Sequence, residues 1–407
     1  MTNKPCEAEV RNKAPVLIIS SLWPSETKTN SATQLVQQIS ARTKFCSIIL
    51  AAPHGAFRGK KIWPGEKKTK PCSFSSPATL TLPMRGSKLI FLRYIFNELA
   101  FLIALFPFLA KAVFIEKTDV LHLHGESGCL FLAFFAKRFL RLNVVLTSHG
   151  LSSSAQRLSG KKFFRNTMRI GYRNIDKIVI VGDFLREYYH GIGIPSKKVV
   201  KIPNGHDPST FDSTKLAELK SNYGRKVKII GVSRLVEWKG VDDTLHALSL
   251  MSESNKSVSW VYLHIGDGPE KSRLNSLRTE LNLEDQVFFL GHLGYSETMS
   301  AMKAGDVFVL PSWGEAFGIV YLEAMARGLP AIGCSSAGGR ETIVHGKTGF
   351  LVEMNDVISL THYIQMLVSN GKLRQEFSRA AKKRAAEFTW EKNAREYSRI
   401  YLEMTKR

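Results

Sequence analysis

The sequence is poor in cysteine, poor in acid over its first half, and has no uninterrupted apolar run of membrane length. Its five cysteines, Cys6, Cys46, Cys72, Cys129 and Cys334, are odd in number, far apart and never in a C-x-x-C pair. That spacing excludes a disulfide framework or a structural zinc site and suits a reducing compartment. The opening residues, MTNKPCEAEVRNK, hold acids and no apolar core, unlike a secretory leader. The most apolar stretch, residues 89–110, is interrupted by Arg93, Asn97, Glu98 and Pro107. Its part free of polar side chains, Leu99 to Ala110, falls short of the ~20 residues a spanning helix needs. Cytoplasmic placement is therefore the expectation. The patterns G-x-x-x-x-G-K-[ST] and G-x-S-x-G are both missing, which removes a P-loop nucleotidase and an esterase. No Asp-x-Asp closes a strand, and His122 and His124 have no third ligand at metal spacing, so no metal is expected.

What is present is an excess of base: 57 Lys and Arg against 35 Asp and Glu in 407 residues, net +22. Residues 1–200 hold 30 bases and 11 acids, net +19, whereas residues 201–407 hold 27 and 24, net +3. A one-sided basic field implies an anionic partner. No nucleic-acid module is recognisable, so nucleic acid is not expected, and an anionic membrane surface is. Two segments of the basic half fit that partner. Residues 89–110 are too apolar for an ordinary surface helix. Residues 161–173, KKFFRNTMRIGYR, interleave bases with aromatics as interfacial segments do. The competing expectation is that 89–110 is a helix buried against a sheet.

Short apolar runs alternate with helical patterns along most of the chain. APVLIISS (14–21), CSIILAAP (46–53), DVLHLHG (119–125), NVVLTSHG (143–150) and DKIVIVG (176–182) read as buried strands. The polar stretch 198–226 reads as a linker. Strand patterns then resume at 226–234, 258–266, 286–291, 306–312, 330–334 and 349–352. The fold class is α/β, with two doubly wound, Rossmann-like domains. Their expected limits are 14–204 and 205–387, followed by a last helix at 388–407.

The chemically distinctive residues share one placement. His149, Arg234, the Gly266 loop (GDGPE) and Glu315 each follow a strand, at the edge where open α/β sheets bind ligands. Two such edges facing each other predict a cleft. Arg234 and Lys239, with Gly240 and the start of a helix, can hold phosphate or can be two solvated charges on a turn. In PSWGEAFGIVYLEAMARG (311–328), Glu315 precedes Glu323 by eight positions. Gly318, Ile319 and Val320 between them offer free N–H groups at a helix start. Two carboxylates at that separation suit the hydroxyl-bearing ends of an extended ligand with phosphates in its middle, a nucleotide sugar. His149 standing alone is equally a core histidine.

PSWGEAFGIVYLEAMARGLPAIGC resembles the E-x7-E signature of family 4, or group 1, glycosyltransferases. VSRLVEWKGVD, IPNGHDPSTF, VLTSHG, GDGPE and GKTGFLV are similar to further motifs of that family in its order. The likeness covers roughly residues 115–400. It implies a GT-B fold, a last helix crossing back to the first domain, and metal-independent transfer from a nucleoside-diphosphate sugar with retention. The nucleotide sugar is a substrate, and no cofactor is implied. Carried over by position, Arg234 and Lys239 bind the diphosphate, Glu315 the sugar hydroxyls and Glu323 the ribose. His149 contacts the transferring sugar, and the backbone at Phe317 and Gly318 lies beside sugar and phosphate. One departure concerns the loop after the first strand, SLWPSETKTNSATQL, which lacks the paired glycines many members carry. The acceptor expected is a lipid-linked or envelope glycan. Rival readings are a glycogen- or sucrose-type synthase, a phosphorylase, or a non-catalytic membrane-binding protein on the same fold.

Overall fold

The structure, a computed structural model, describes residues 16–20, 48–51, 54–55, 68–69, 72–75, 78–79, 90–115, 117–125, 130–150, 162–207, 212–254, 258–336 and 338–405. The glycine-free loop after the first strand and the helical pattern at 31–43 lie outside them. The chain forms two compact units, Met1–Pro203 with Trp390–Arg407, and Asn204–Thr389.

The first unit contains β1 (Val16–Ser20), β2 (Ile48–Ala51), β3 (His54–Gly55), β4 (Lys68–Thr69), β5 (Cys72–Ser75), β6 (Ala78–Thr79), α1 (Ile90–Phe114), β7 (Val120–His124), α2 (Leu130–Phe139), β8 (Asn143–Ser148), α3 (Lys162–Arg173), β9 (Lys177–Ile180), α4 (Phe184–Gly191) and β10 (Val199–Lys201). Eight strands form one sheet in the order β10-β9-β8-β7-β1-β2-β5-β4, and β3 pairs with β6. Within that sheet every pairing but β4 with β5 is parallel. Parallel strands need cover on both faces, which is why these segments are apolar without alternation.

The second unit contains α5 (Ser213–Tyr223), β11 (Val227–Val232), α6 (Val241–Ser254), β12 (Trp260–Ile265), α7 (Lys271–Glu280), β13 (Val287–Gly291), α8 (Tyr295–Ala304), β14 (Val307–Leu310), α9 (Ile319–Ala326), β15 (Ala331–Cys334), α10 (Gly338–Thr342), β16 (Gly349–Val352), α11 (Val357–Ser369) and α12 (Gly371–Ala385). Its six strands run β13-β12-β11-β14-β15-β16, all parallel. From β11 the chain winds outward through β12 to β13, then returns to β14 and winds the other way. The switch point lies between β11 and β14, and in open α/β sheets ligands bind beyond the carboxyl ends of the strands at such a point.

The last helix, α13 (Trp390–Thr405), belongs to the first unit. Tyr397, Ile400, Tyr401 and Met404 join Val16, Ile18, Val120, Val145 and Val179 in one core. The tyrosines also satisfy polar groups on the strands. Tyr401 Oη lies 2.6 Å from His122 Nδ1, and Tyr397 Oη lies 2.8 Å from Thr147 Oγ1.

The stretch 198–226, read as a linker, contains the boundary between the units at Pro203 and Asn204, but it is not all connector. It carries β10, an edge strand of the first sheet, and α5, a helix capped by the Asp212 carboxylate, which accepts from the N–H groups of Thr214 and Lys215. It reads as polar because β10 is three residues long and α5 buries only Leu219. Of the stretch 89–110, residues 90–110 fall within α1, whose Leu105, Leu109 and Ala112 are buried. Among the described residues no helix is long and apolar enough to cross a membrane.

Candidate functional site

The switch point of the second unit gathers the predicted charges. Arg234 stands two residues beyond β11, with its side chain exposed. Lys239 ends a 3₁₀ turn, Glu237–Lys239, that leads into α6. Glu315 follows β14, on the other side of the switch. Lys239 Nζ donates to Glu315 Oε1 in a close ion pair, with side chains only 16% and 17% exposed. Two further bonds tie these loops together: the Trp238 carbonyl accepts from Trp313 N and from Ser312 Oγ, each at 3.1 Å. The sequence reading placed Lys239 on phosphate and Glu315 on sugar as separate contacts. The fold holds them hand in hand.

The loop after β12 is pressed against the Arg234 loop. Gly266 has φ +134°, and a Cβ there would stand 1.9 Å from the Ser233 carbonyl oxygen, so only glycine fits. Ser233 N donates to Ile265 O and Leu235 N to Asp267 O, both at 3.1 Å, which fixes the backbone on either side of Arg234.

Gly318 caps α9 in the left-handed region at φ +78°, where a Cβ would come within 2.4 Å of the Tyr321 ring. Phe317 before it is buried against Phe388, with ring centroids 5.9 Å apart, and the Gly338 N–H donates to the Glu315 carbonyl at 2.9 Å. Among the described residues nothing accepts the N–H of Gly318, Ile319 or Val320. A helix start of this kind offers aligned donors and a positive dipole end to an anion.

Glu323 lies one turn into α9 and is buried. Burial pushes its carboxyl up to about 7, against the opposing influence of a 3.0 Å hydrogen bond from Tyr295 Oη and of nearby Arg327. Sequence reading missed Tyr295, which is 28 positions away with no shared motif. The buried carboxylate partner of a hydroxyl is well disposed to exchange that hydroxyl for one on a ligand.

His149 lies in the first unit, just past β8, and is half-buried. Its Nε2 is 2.9 Å from Nδ1 of the buried His124 at the end of β7, with the rings stacked at 5.2 Å. One imidazole must donate to the other, so the tautomers of the two rings are coupled. His122, at 4.2 Å from His124, completes the chain to Thr147 and Tyr401. No group of three His, Cys, Asp or Glu among the described residues is arranged to hold a metal ion.

A doubly wound unit with cations after one switch-point strand and a carboxylate and an open helix start after the other carries groups chemically able to hold an anionic, hydroxyl-bearing ligand. The family described as "Glycosyl transferases group 1" matches residues 213–384, and "Glycosyltransferase Family 4" matches residues 80–210. N-acetyl-alpha-D-glucosaminyl L-malate synthase of Bacillus anthracis is 30% identical over 297 residues, 71% of this chain and 76% of that protein. Phosphatidyl-myo-inositol mannosyltransferase of Mycobacterium leprae is 29% identical over 287 residues, 70% and 73% of the two chains. The structure of Anabaena HepE in complex with UDP-glucose superposes with a TM-score of 0.69 at 19% identity, covering 96% of this chain and 100% of that one. The chain belongs to the group 1 glycosyltransferases, enzymes of the GT-B fold that use nucleotide sugars.

Proposed function

We propose that the protein is a retaining, metal-independent glycosyltransferase that moves a sugar from a nucleoside-diphosphate sugar to a lipid-linked or envelope-glycan acceptor at the cytoplasmic face of a membrane. The observation that carries the donor half is the Lys239–Glu315 pair at the switch point, beside Arg234 and the open N–H groups of α9. In this reading Arg234, Lys239 and the helix start take the diphosphate, Glu315 the sugar hydroxyls, and Glu323 the ribose in place of Tyr295. The resemblance assigns His149 to the transferring sugar.

The chemistry follows from charge. As the bond between the anomeric carbon and the phosphate oxygen breaks, negative charge grows on the leaving diphosphate, where fixed cations lower the barrier most. No second carboxylate is placed as a nucleophile in the donor site, which supports attack by the acceptor hydroxyl on the same face. The departing phosphate oxygen takes the acceptor's proton as the new glycosidic bond forms. Relatives support the acceptor class: the Mycobacterium leprae protein is named for transfer to phosphatidyl-myo-inositol.

A thermal-shift panel of UDP-, GDP- and ADP-sugars tests the donor. One base should stabilise the protein and Lys239→Ala should abolish the effect. No shift with any of them would refute the reading. With donor and acceptor in hand, the coupling constant of the new anomeric proton reports retention or inversion.

A further inference from the structure

Among its described residues the first unit shows an exposed apolar surface. Helix α1 buries Leu105, Leu109 and Ala112 inward, yet its opposite side is apolar too. Leu99, Ile103, Phe106 and Phe114 recur at spacings of three, four and eight along the solvent side, with Ile103 72% and Phe114 67% exposed. An ordinary amphipathic helix turns polar residues outward. The stripe runs from Leu99 to Phe114, about 22 Å at 1.5 Å rise per residue. It continues sideways: Phe106 meets Phe135 of α2 with ring centroids 5.9 Å apart, and Phe135 stacks on Phe139, itself 64% exposed. Helix α3 packs on α2 where Gly171 faces Leu130, and shows Ile170 to solvent.

Bases border this surface. Lys111 and Lys117 flank Phe114, Arg138 and Arg141 flank Phe139, and Arg169 precedes Ile170, all exposed. The one exposed acid described close in sequence is Asp119.

We infer that the outer faces of α1, α2 and α3 form a docking surface for an anionic phospholipid bilayer. An apolar band with basic margins matches an interface whose headgroups are negative and whose acyl boundary is apolar. A second copy fits worse, because a self-paired face would set base against base within a half of the chain at net +19. The surface names the membrane contact of the function proposed above, but contains none of the donor-site residues, so the two readings fail separately.

The test is co-sedimentation of the full chain with vesicles of phosphatidylcholine alone, or with about a third phosphatidylglycerol, at low and high salt. Binding to the anionic vesicles alone, weakened by salt, is expected. Two double variants divide the surface: Ile103→Glu with Phe106→Glu removes apolar contact, and Lys111→Ala with Arg138→Ala removes charge. Each should lower vesicle binding at least about tenfold while leaving the nucleotide-sugar thermal shift intact, which also shows that the variant folds. No wild-type binding to anionic vesicles would overturn the inference, as would variants that bind undiminished. A wild-type dimer by light scattering that the Ile103/Phe106 variant converts to monomer would assign the face to a second copy instead.

Discussion

Glu315→Gln should bind a nucleoside diphosphate more tightly than the wild type while losing turnover. In the free protein Lys239 is already held by Glu315, so a phosphate reaching Lys239 must share or displace a carboxylate. It must also settle beside that negative charge. Exposed ion pairs contribute about 0.2–1 kcal/mol, and breaking a buried pair costs about 3–5 kcal/mol. With side chains 16% and 17% exposed, the Lys239–Glu315 pair lies between these limits, and about 1–2 kcal/mol is a fair magnitude for the competition. At about 1.4 kcal/mol per tenfold, the neutral isostere should bind UDP, GDP or ADP, whichever the wild type prefers, about 5- to 30-fold more tightly. Isothermal titration of wild type and variant with the diphosphate alone measures this. The intact nucleotide sugar should gain less, because it forfeits the carboxylate's bonds to sugar hydroxyls, and turnover should fall at least about a hundredfold. Equal or weaker diphosphate binding by Glu315→Gln would refute the competition. Glu315 would then be a residue that aims Lys239 at phosphate.

Other outcomes follow from the same site. Lys239→Ala and Arg234→Ala should each lose about 10²-fold or more in turnover, and near-wild-type rates in both would remove the leaving-group role. Turnover should survive EDTA; loss on chelation with rescue by magnesium or manganese would contradict metal-independent transfer. Glu323 is protonated in the folded state up to about pH 7 but in the unfolded chain only to about 4.5, so folding stability falls as pH rises through that window. Glu323→Gln removes the loss, so its melting advantage over wild type should grow from pH 5 to pH 8, toward about 3 kcal/mol at most. Parallel curves would show that the carboxyl is not held neutral. Gly266→Ala should destabilise the protein and weaken nucleotide binding together, because the new methyl would displace the Ser233 carbonyl and with it Arg234. Wild-type melting and affinity in that variant would contradict the close packing of the two loops.

The strands were legible because a parallel sheet buried on both faces demands continuous apolar runs, as in IILA and VFVL. The carboxyl-edge placement of Arg234, Gly266 and Glu315 was legible for a related reason: each stands directly after such a run. Pairings across the sheet were not. Lys239 and Glu315 are 76 positions apart, and Tyr295 and Glu323 are 28 apart. Only the order of strands brings each pair together. The misread stretch 198–226 shows another limit, since an edge strand and a mostly exposed helix need few apolar residues. In α1 the composition declared an apolar helix without saying which side faces out. Packing alone separates Leu105, Leu109 and Ala112 from Ile103 and Phe106.

The placement of α13 bears on how the polypeptide matures as it is made. Asn204–Thr389 is one unbroken stretch and can close its core while later residues are still being added. The unit before it cannot. Its strands offer His122 and Thr147 to hydroxyls on Tyr401 and Tyr397, which leave the ribosome about two hundred residues after the last of its strands, β10. Until then the core that Val16, Val120, Val145 and Val179 share with α13 is incomplete. The unit made earlier is therefore completed after the one made later, and its apolar, basic surface sits on an unfinished scaffold in the interval.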